Sequence, residues 1–357
     1  MGINSDFWAQ RRVLITGHTG FKGAWLSLWL QSLGARVVGL APGPPTRPSL
    51  YELAAVAQKT CEHAVDVRDA GQVRETVRRA SPEIVLHLAA QPMVRRSLRD
   101  PAMTFEVNVM GTVNVLEAVR RAGSEVRAVV VVTSDKCYEN PGAPSRRFVE
   151  GDRLGGDDPY SSSKACAELL TAAYRRSFFS GEGFPRVATA RAGNVIGGGD
   201  WGRDRLVPDV VRAVAAGEPV RVRSPRAVRP WQHVLNPLSG YLRLAEELWR
   251  TNEAARAWNF GPREGDARTV SWIVERLGAL WGGALRWELD EGGNPPEAPH
   301  LTLDSSAAEH GLGWRPGWDL EKALQGVVEW HEAERRGEDM RRVSVEQIER
   351  FCDGLTA

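Results

Sequence analysis

The residues best suited to chemistry follow a short, fully apolar segment. Four consecutive valines, Val129 to Val132, lead almost directly into Ser134, Asp135 and Lys136. An apolar run of this length is typical of a central strand in a parallel sheet, and such sheets bind ligands beyond the carboxyl ends of their strands. We therefore expect a hydroxyl, a carboxyl group and an amine to meet at a substrate, with the phenol of Tyr138 nearby.

A tyrosine and a lysine follow at a spacing that suits proton transfer. Tyr160 and Lys164 are four residues apart, so on a helix they share one face. A nearby ammonium group and a cationic nicotinamide both stabilise a phenolate, which lowers the pKa of the tyrosine towards neutrality. We expect Tyr160 to remove a hydroxyl proton while a hydride leaves for a dinucleotide.

Strand and helix patterns alternate through the first half of the chain. Before the valine segment, the predicted strands cover residues 12–15, 36–40, 64–67 and 84–90, and a long helix covers 104–122. Strands separated by helices indicate a parallel sheet with right-handed crossovers. The predicted fold class is α/β, a doubly wound parallel sheet of the Rossmann type.

Beyond about residue 185 the pattern changes, because Gly, Pro, Trp and Arg become frequent and the predicted strands become shorter. This indicates a smaller C-terminal, substrate-binding lobe that is interleaved with returns to the main sheet. The predicted division is a dinucleotide-binding domain at 1–188 with returns near 235–262, a nucleotide-sugar-binding lobe mainly at 189–234 and 263–340, and a C-terminal helix at 341–357.

A glycine motif joins the first predicted strand to the first helix. Gly17, Gly20 and Gly23 allow a tight turn and let a pyrophosphate approach the helix N-terminus, where free N–H groups favour anions. The ribose-binding acid expected about 20 residues later is missing, since no acid lies between Asp6 and Glu52. The choice between NAD and NADP therefore stays open at this point, and Arg47 would suit a 2′-phosphate.

Together, these motifs resemble the extended short-chain dehydrogenase/reductase family. Further similar segments are Asp66-Val67, His87 to Gln91 and Asn108 to Thr112, and the resemblance extends from Val13 to about Leu324. The resemblance implies a nicotinamide dinucleotide held by Gly17, Thr19, Gly20, Phe21, Lys22, Gly23, Asp66, Val67, Leu88, Ala89, Ala90, Asn108, Tyr160 and Lys164.

Within this family, Asp135-Lys136 resembles the acid and base that sugar 4,6-dehydratases place after the hydroxyl residue, commonly as Asp-Glu. The surrounding residues 133–140, and later 191–201 and 229–235, are similar to the branch that acts on CDP-D-glucose. The resemblance implies the catalytic set Ser134, Asp135, Lys136, Tyr160 and Lys164, and the substrate-binding set Gln91, Tyr138, Asn194, Arg205 and Arg229.

The implied reaction moves a hydride internally from C4 to C6 of the sugar through tightly bound NAD. Tyr160 takes the C4 hydroxyl proton with the help of Ser134, Lys136 removes the C5 proton, and Asp135 protonates the departing C6 hydroxyl. Lys136 must be neutral and Asp135 protonated for these roles. Because the cofactor ends as it began, NAD is favoured over NADP.

Two other functions remain open from the residues. A nucleotide-sugar 4-epimerase or reductase would use the same Tyr160 and Lys164, but it would leave Asp135 and Lys136 without a role. A non-catalytic dinucleotide sensor is the second alternative, although such proteins commonly lose the tyrosine–lysine pair.

Composition sets the remaining expectations. A net charge of +1 with 25% charged residues does not suggest a nucleic-acid or membrane partner. The first ten residues lack the apolar segment of a secretory signal, and four scattered cysteines match neither a disulfide framework nor a metal site. We predict a cytoplasmic enzyme without a metal. The resemblance also implies a homodimer, formed through helices near 104–122 and 160–179.

Overall fold

The computed structural model describes residues 2–122, 125–142, 146–283, 285–290, 292 and 300–356. Within these residues, seven parallel strands form the central sheet. They are β1 Arg12–Thr16, β2 Arg36–Leu40, β3 Thr60–His63, β4 Ile84–His87, β5 Ala128–Val132, β6 Arg186–Arg191 and β7 Ala257–Asn259. Their order in space is β7-β6-β5-β4-β1-β2-β3, so the predicted doubly wound parallel sheet is confirmed.

Helices cover both faces of this sheet. Their bounds are α1 Ser5–Trp8, α2 Phe21–Ser32, α3 Leu50–Leu53, α4 Ala70–Ala80, α5 Val94–Arg99, α6 Pro101–Phe105, α7 Gly111–Arg121, α8 Pro159–Phe178, α9 Leu206–Ala216, α10 Leu235–Arg250, α11 Val270–Leu280, α12 Ser306–Leu312, α13 Leu320–Arg335 and α14 Met340–Thr356. The predicted helix over 104–122 is α6 and α7, joined by one π-helical turn at Glu106–Met110. In the described residues, no helix is long and apolar enough to cross a bilayer.

The valine strand explains why the sheet is buried on both sides. Side chains alternate along a strand, so Val129 and Val131 pack in one hydrophobic core with α4 and α7. Val130 and Val132 enter a second core with α2 and α10. All four valines are buried, which matches the expectation of a central strand.

The third strand corrects a prediction. The sequence predicts it at residues 64–67, but the ladder pairs Thr60–His63 with β2, so that prediction is wrong. This strand forms the edge of the sheet and is largely exposed, which is why it carries no apolar signal. Val65 and Val67 are buried in the loop that follows it and produced the misleading pattern.

The second half of the chain returns to the sheet and also builds a separate core. Helix α10 packs on the sheet and β7 joins its edge, whereas α9, α11 and α13 share a third hydrophobic core. Short paired strands flank that core, namely Val195–Ile196 with Gln232–His233, Val220–Val222 with Trp287–Leu289, and Val228–Pro230 with Ala267–Thr269. A fourth pair, Arg147–Phe148 with Thr302–Leu303, packs instead in a small separate core with Cys137 and Tyr138. Some predicted regions lie outside the described residues. In the predicted lobe these are residues 284, 291 and 293–299, and in the predicted C-terminal helix it is residue 357.

Candidate active site

An open cleft of about 1710 Å³ runs along the carboxyl ends of the strands. It brings together almost every residue singled out from the sequence. The glycine motif lies at one end, the tip of β5 lies at the centre, and Arg205 and Arg229 line the side formed by the second half of the chain. Asn108 is the exception, because it does not line the cleft.

The turn after β5 is fixed by its neighbour β6. The backbone N–H of Thr133 donates to the carbonyl of Ala190 at 2.9 Å, and that of Asp135 donates to the carbonyl of Ala192 at 3.3 Å. Ser134 begins a 3₁₀ turn over Asp135–Cys137. These bonds hold the hydroxyl and the carboxyl group at the end of a buried strand, where the sequence predicts them.

Helix α8 brings Tyr160 and Lys164 to the same place. It begins at Pro159, and Asp158 caps it by accepting a hydrogen bond from the backbone N–H of Ser161 at 3.0 Å. Both predicted side chains are buried. Tyr160 lines the cleft together with Ser134, and the Nζ of Lys164 donates to the carbonyl of Val132 at 3.3 Å.

The electrostatics of Tyr160 differ from the sequence expectation. Burial, together with the charge of Asp135, raises its pKa to about 12, although Ser134 and Arg205 oppose the shift. The protein groups around Tyr160 therefore do not produce the lowered pKa that the Tyr160–Lys164 spacing suggests, because desolvation outweighs them. Burial also lowers the pKa of Lys164 to about 8.

Asp135 has the environment of a general acid. Burial raises its pKa, although Lys136, Ser134, Lys22 and Arg229 all oppose the shift. Its Oδ2 atom is buried and has no hydrogen-bond partner among the described residues. Burial therefore shifts Asp135 towards its protonated form, the direction that donation of a proton to a leaving group requires. Lys136 is half-buried and lines the cleft next to it.

A buried network of hydrogen bonds and one ion pair surrounds Glu168, a residue that the sequence analysis did not identify. Glu168 accepts hydrogen bonds from Thr133, Thr189 and Arg191. In its ion pair with Arg191, each of the two side chains is 3% exposed. Glu168 lies one helical turn after Lys164, and that spacing on the helix was the available signal. Arg191 also donates to the hydroxyl of Tyr138 at 2.7 Å.

The predicted substrate residues divide into two groups. Tyr138 is buried, with its hydroxyl held by Arg191 and by Asn259, and the amide of Gln91 is bound to Met93 and Thr104. These two side chains shape the cleft wall but are engaged by the protein itself. Asn194, Arg205 and Arg229 also line the cleft. Arg205 is paired with Asp200 at 2.8 Å, and Arg229 donates to the carbonyl of Val228 at 3.0 Å.

The glycine motif fits a dinucleotide pyrophosphate. Gly17 has φ +75°, and a Cβ there would lie 2.8 Å from the backbone nitrogen of Ala89. A Cβ on Gly23 would lie 2.1 Å from the carbonyl oxygen of Gly17, so the turn packs too tightly for any other residue. Gly20 precedes α2 without a side-chain cap, which leaves the first N–H groups of that helix to an anion in the cleft.

The remaining predicted cofactor residues line the same end of the cleft. They are Thr19, Phe21, Lys22, Asp66, Val67, Leu88, Ala89 and Ala90. Asn108 is buried behind them, where it binds both backbone groups of Gln91 and the hydroxyl of Ser163. It therefore positions the loop after β4. Arg47 is exposed and pairs with Glu52 at 3.3 Å.

Comparison with known proteins identifies the family. Residues 13–261 match the model of the NAD dependent epimerase/dehydratase family. The chain belongs to this family. It is 47% identical to a CDP-glucose 4,6-dehydratase of Salmonella typhimurium over 99% of both chains. It is 27% identical to a dTDP-glucose 4,6-dehydratase of Xanthomonas campestris, over 89% of this chain and 92% of that one.

Solved structures of this epimerase/dehydratase family share the fold. A UDP-glucose 4-epimerase of Thermus thermophilus in complex with NAD superimposes with a TM-score of 0.75 and 25% identity, over 89% of this chain and 97% of that chain. A dTDP-glucose 4,6-dehydratase of Streptomyces venezuelae gives a TM-score of 0.76 at 24% identity, over 92% of this chain and 99% of that chain.

Within the described residues, no cluster of His, Cys, Asp and Glu side chains is able to hold a metal ion.

Proposed function

We propose that the protein is a hydro-lyase that converts CDP-D-glucose to its 4-keto-6-deoxy product. The observation that carries this proposal is the position of Asp135 and Lys136 in the cleft, directly beside Ser134 and Tyr160. The identity of 47% to a CDP-glucose 4,6-dehydratase over nearly the whole chain supports the choice of substrate.

The roles of the residues follow from their environments. NAD, when bound, accepts the C4 hydride of the sugar and supplies the hydride that replaces the C6 hydroxyl. Tyr160, which lines the cleft together with Ser134, takes the proton of the C4 hydroxyl. The resulting ketone acidifies the C5 proton, which Lys136 removes, and the buried acid Asp135 protonates the departing hydroxyl.

The epimerase or reductase alternative requires only part of this site. Ser134, Tyr160 and Lys164 are sufficient to oxidise and reduce C4. An epimerase has no use for a second buried acid whose pKa is raised, and keeping an unused ionisable group in that environment is costly. Dehydration therefore accounts for more of the geometry.

A substrate panel tests the proposal. The purified protein is incubated with CDP-, dTDP-, UDP- and GDP-glucose, and the products are identified by mass and by NMR. We expect loss of water from CDP-glucose and a 4-keto-6-deoxy sugar. Formation of CDP-galactose instead would support the epimerase, and no reaction with any of the four would contradict both enzymes.

NAD is proposed to stay bound through the catalytic cycle, because the reaction returns it unchanged. The tight glycine turn and the open N-terminus of α2 support a firm hold on the pyrophosphate. Denaturing the purified protein and identifying the released nucleotide distinguishes NAD from NADP. A protein that purifies without nucleotide, and gains activity only when NAD is added, would contradict tight binding.

The proposed assembly is a homodimer through the faces of α6, the π-helical turn after it, and α8. Large apolar side chains are exposed on these neighbouring segments, namely Phe105, Met110, Leu169 and Phe178. Burying such a patch is favourable. Light scattering on the purified protein measures the mass of the assembly, and Leu169→Glu is expected to give a monomer.

Two further proposals concern organisation and location. The third hydrophobic core supports a substrate lobe, mainly residues 189–234 and 263–340, beside the dinucleotide-binding part of the chain. All four cysteines are unpaired, which is usual in a reducing compartment and supports a cytoplasmic location.

A further inference from the structure

Asp204 has a backbone conformation that most residues avoid. Its φ is +60°, in the left-handed region, where a side chain has a steric cost that aspartate tolerates better than most residues. Within the described part of the chain, four residues other than glycine have a positive φ, and Asp204 is the one among them that lines the cleft. An unusual backbone conformation at a binding site indicates a constraint that comes from function.

Two arginines hold Asp204 in this conformation. Oδ1 of Asp204 accepts a hydrogen bond from Nη1 of Arg95 at 3.0 Å, and its backbone carbonyl accepts one from Nη2 of Arg223 at 2.9 Å. Arg95 belongs to α5 in the first half of the chain, whereas Arg223 follows the strand Val220–Val222 in the second half. Because both Arg95 and Asp204 line the cleft, their ion pair joins two of its walls.

On one side, the ion pair leads to the helix that carries Tyr160 and Lys164. Helix α5 packs against α8, and Oγ of Ser97 in α5 accepts a hydrogen bond from the backbone N–H of Tyr160 at 3.1 Å. The hydroxyl of Ser97 is buried and donates to the carbonyl of Val94 at 2.7 Å. Arg95 lies between these two residues in the chain, so its backbone is fixed relative to the first turn of α8.

On the other side, the ion pair leads to Arg205. The guanidinium of Arg205 is paired with Oδ2 of Asp200 at 2.8 Å, and Oδ1 of Asp200 accepts a hydrogen bond from the backbone N–H of Gly202 at 2.9 Å. These contacts close residues 200–205 into a compact loop. Asp204 directly precedes Arg205, so its contact with Arg95 fixes where this loop and its cation stand in the cleft.

Stability alone does not account for the ion pair. The side chains of Arg95 and Asp204 are 33% and 31% exposed, and pairs with this much exposure contribute little to the free energy of unfolding. Asp204 is also a negative charge in a cleft that is lined by fourteen Lys and Arg side chains and seven Asp side chains. Because a negative charge opposes the binding of a diphosphate, the benefit of Asp204 lies in what it positions.

We propose that the ion pair between Arg95 and Asp204 is a bridge across the cleft that positions Arg205 for the diphosphate of the nucleotide sugar. This inference rests on the proposed function, because it requires a nucleotide-sugar substrate. Through α5, the bridge holds Arg205 at a fixed place relative to Tyr160, so the diphosphate is bound while the sugar lies at the tyrosine. Arg95 and Asp204 are positioning residues, which act through Arg205.

Removal of the charge on Asp204 is the first test. Asp204→Asn keeps the size of the side chain and its tolerance of a left-handed backbone. KM for CDP-glucose should rise by about three- to fivefold, the range that a partly exposed ion pair allows. The value of kcat should change by less than about twofold, because the groups that transfer protons and hydride are unaltered.

The sign of the change in KM separates the bridge from a simple effect of charge. Loss of a negative charge from the cleft would by itself strengthen the binding of a diphosphate and lower KM. Asp157→Asn is the matched control, since it removes an exposed acid from the same cleft and should not raise KM.

Two double variants show whether Asp204 acts through its partners. In the presence of Arg95→Gln, Asp204→Asn should cause no further increase in KM, because the ion pair is already broken. Arg205→Gln should raise KM more than either of these variants, and Asp204→Asn should again add nothing to it. Each variant is first checked for bound nucleotide and for an unchanged thermal unfolding midpoint.

Three results would overturn the bridge. They are an unchanged or lowered KM in Asp204→Asn, a rise of the same size in Asp157→Asn, and increases in KM that multiply in the double variants. Failure of the unaltered enzyme to dehydrate CDP-glucose would be a different result, because it would remove the proposed function and the bridge with it.

Discussion

Gly193 lies so close to Asp135 that any side chain there would collide with the carboxyl group. A Cβ on Gly193 would lie 2.5 Å from Oδ2 of Asp135 and 2.9 Å from a side-chain carbon of Pro230. The carboxyl group has little room to move away, because it is buried and Ser134 holds its other oxygen. The glycine therefore determines where the proposed acid stands.

Gly193→Ala should impair dehydration more than folding. We expect the displaced carboxyl group to lower the rate of product formation by about 100-fold, within the range that a positioned acid contributes. The measurement is kcat with CDP-glucose. Gly265→Ala is a matched control, since a Cβ there meets no atom within 4 Å. An unchanged kcat in Gly193→Ala would show that the position of Asp135 is unimportant.

Lys136→Met and Asp135→Asn should block elimination while sparing the first oxidation. Neither substitution removes Tyr160, Ser134 or Lys164, so oxidation of the C4 hydroxyl should remain measurable in a single turnover. Formation of the 4-keto-6-deoxy product should fall by about 10² to 10⁴-fold, as expected when a positioned acid or base is removed. Lys136→Met should also lose exchange of the C5 proton with solvent, measured by NMR in D₂O. Retained exchange in that variant would exclude Lys136 as the base.

Glu168→Ala should destabilise the protein strongly. The substitution leaves Arg191 buried without its ion-pair partner and removes the acceptor of two threonine hydroxyls. We expect the free energy of unfolding to fall by about 3–5 kcal/mol, measured by denaturant unfolding. Glu332→Ala, which breaks a partly exposed pair with Arg335, should cost at most about 1 kcal/mol. Equal losses in the two variants would contradict the importance of the buried network.

Lys164 should make the stability of the protein depend on pH in the alkaline range. Burial lowers its pKa from 10.5 to about 8. Between these values the unfolded chain binds a proton that the folded protein lacks, so the free energy of unfolding rises with pH. This rise in the free energy of unfolding is complete above pH 10.5 and is lost as the pH falls to about 8. It amounts to ~3 kcal/mol, because each unit of difference between the folded and unfolded pKa is worth about 1.4 kcal/mol.

Lys164→Met should remove the part of the pH-dependent rise in the free energy of unfolding that Lys164 causes. Lys22 has a similarly lowered pKa of about 8, so a smaller rise should remain in the variant. Lys322→Met, which changes an exposed lysine, should leave the pH dependence as it is in the unaltered protein. The measurement is denaturant unfolding at several pH values from about 7.5 to 10. The same rise in all three proteins would show that Lys164 does not contribute.

The parts of the site that lie in local patterns were predictable. The apolar run of β5, the four-residue spacing of Tyr160 and Lys164, and the glycines before α2 each depend on a short stretch of chain. Strand and helix periodicity is local, so the strand, the helix and the phosphate-binding turn could be placed without coordinates. The edge strand β3 could not, because its neighbours and its exposure decide its position.

The sequence by itself determined which chemical groups this protein possesses and on which elements they lie. Only the tertiary structure decided how those groups are charged and which of them meet. Burial raises the pKa of Asp135 against the cationic groups around it, and burial together with the charge of Asp135 opposes ionisation of Tyr160. The turn after β5 also lets Ser134 donate to Oδ1 of Asp135. Likewise, the hydroxyl of Tyr138 is engaged by Asn259 and Arg191, which are far away in the chain. These pKa shifts and hydrogen bonds depend on distances between residues in the folded protein, and those distances cannot be deduced from the spacing of residues along the chain.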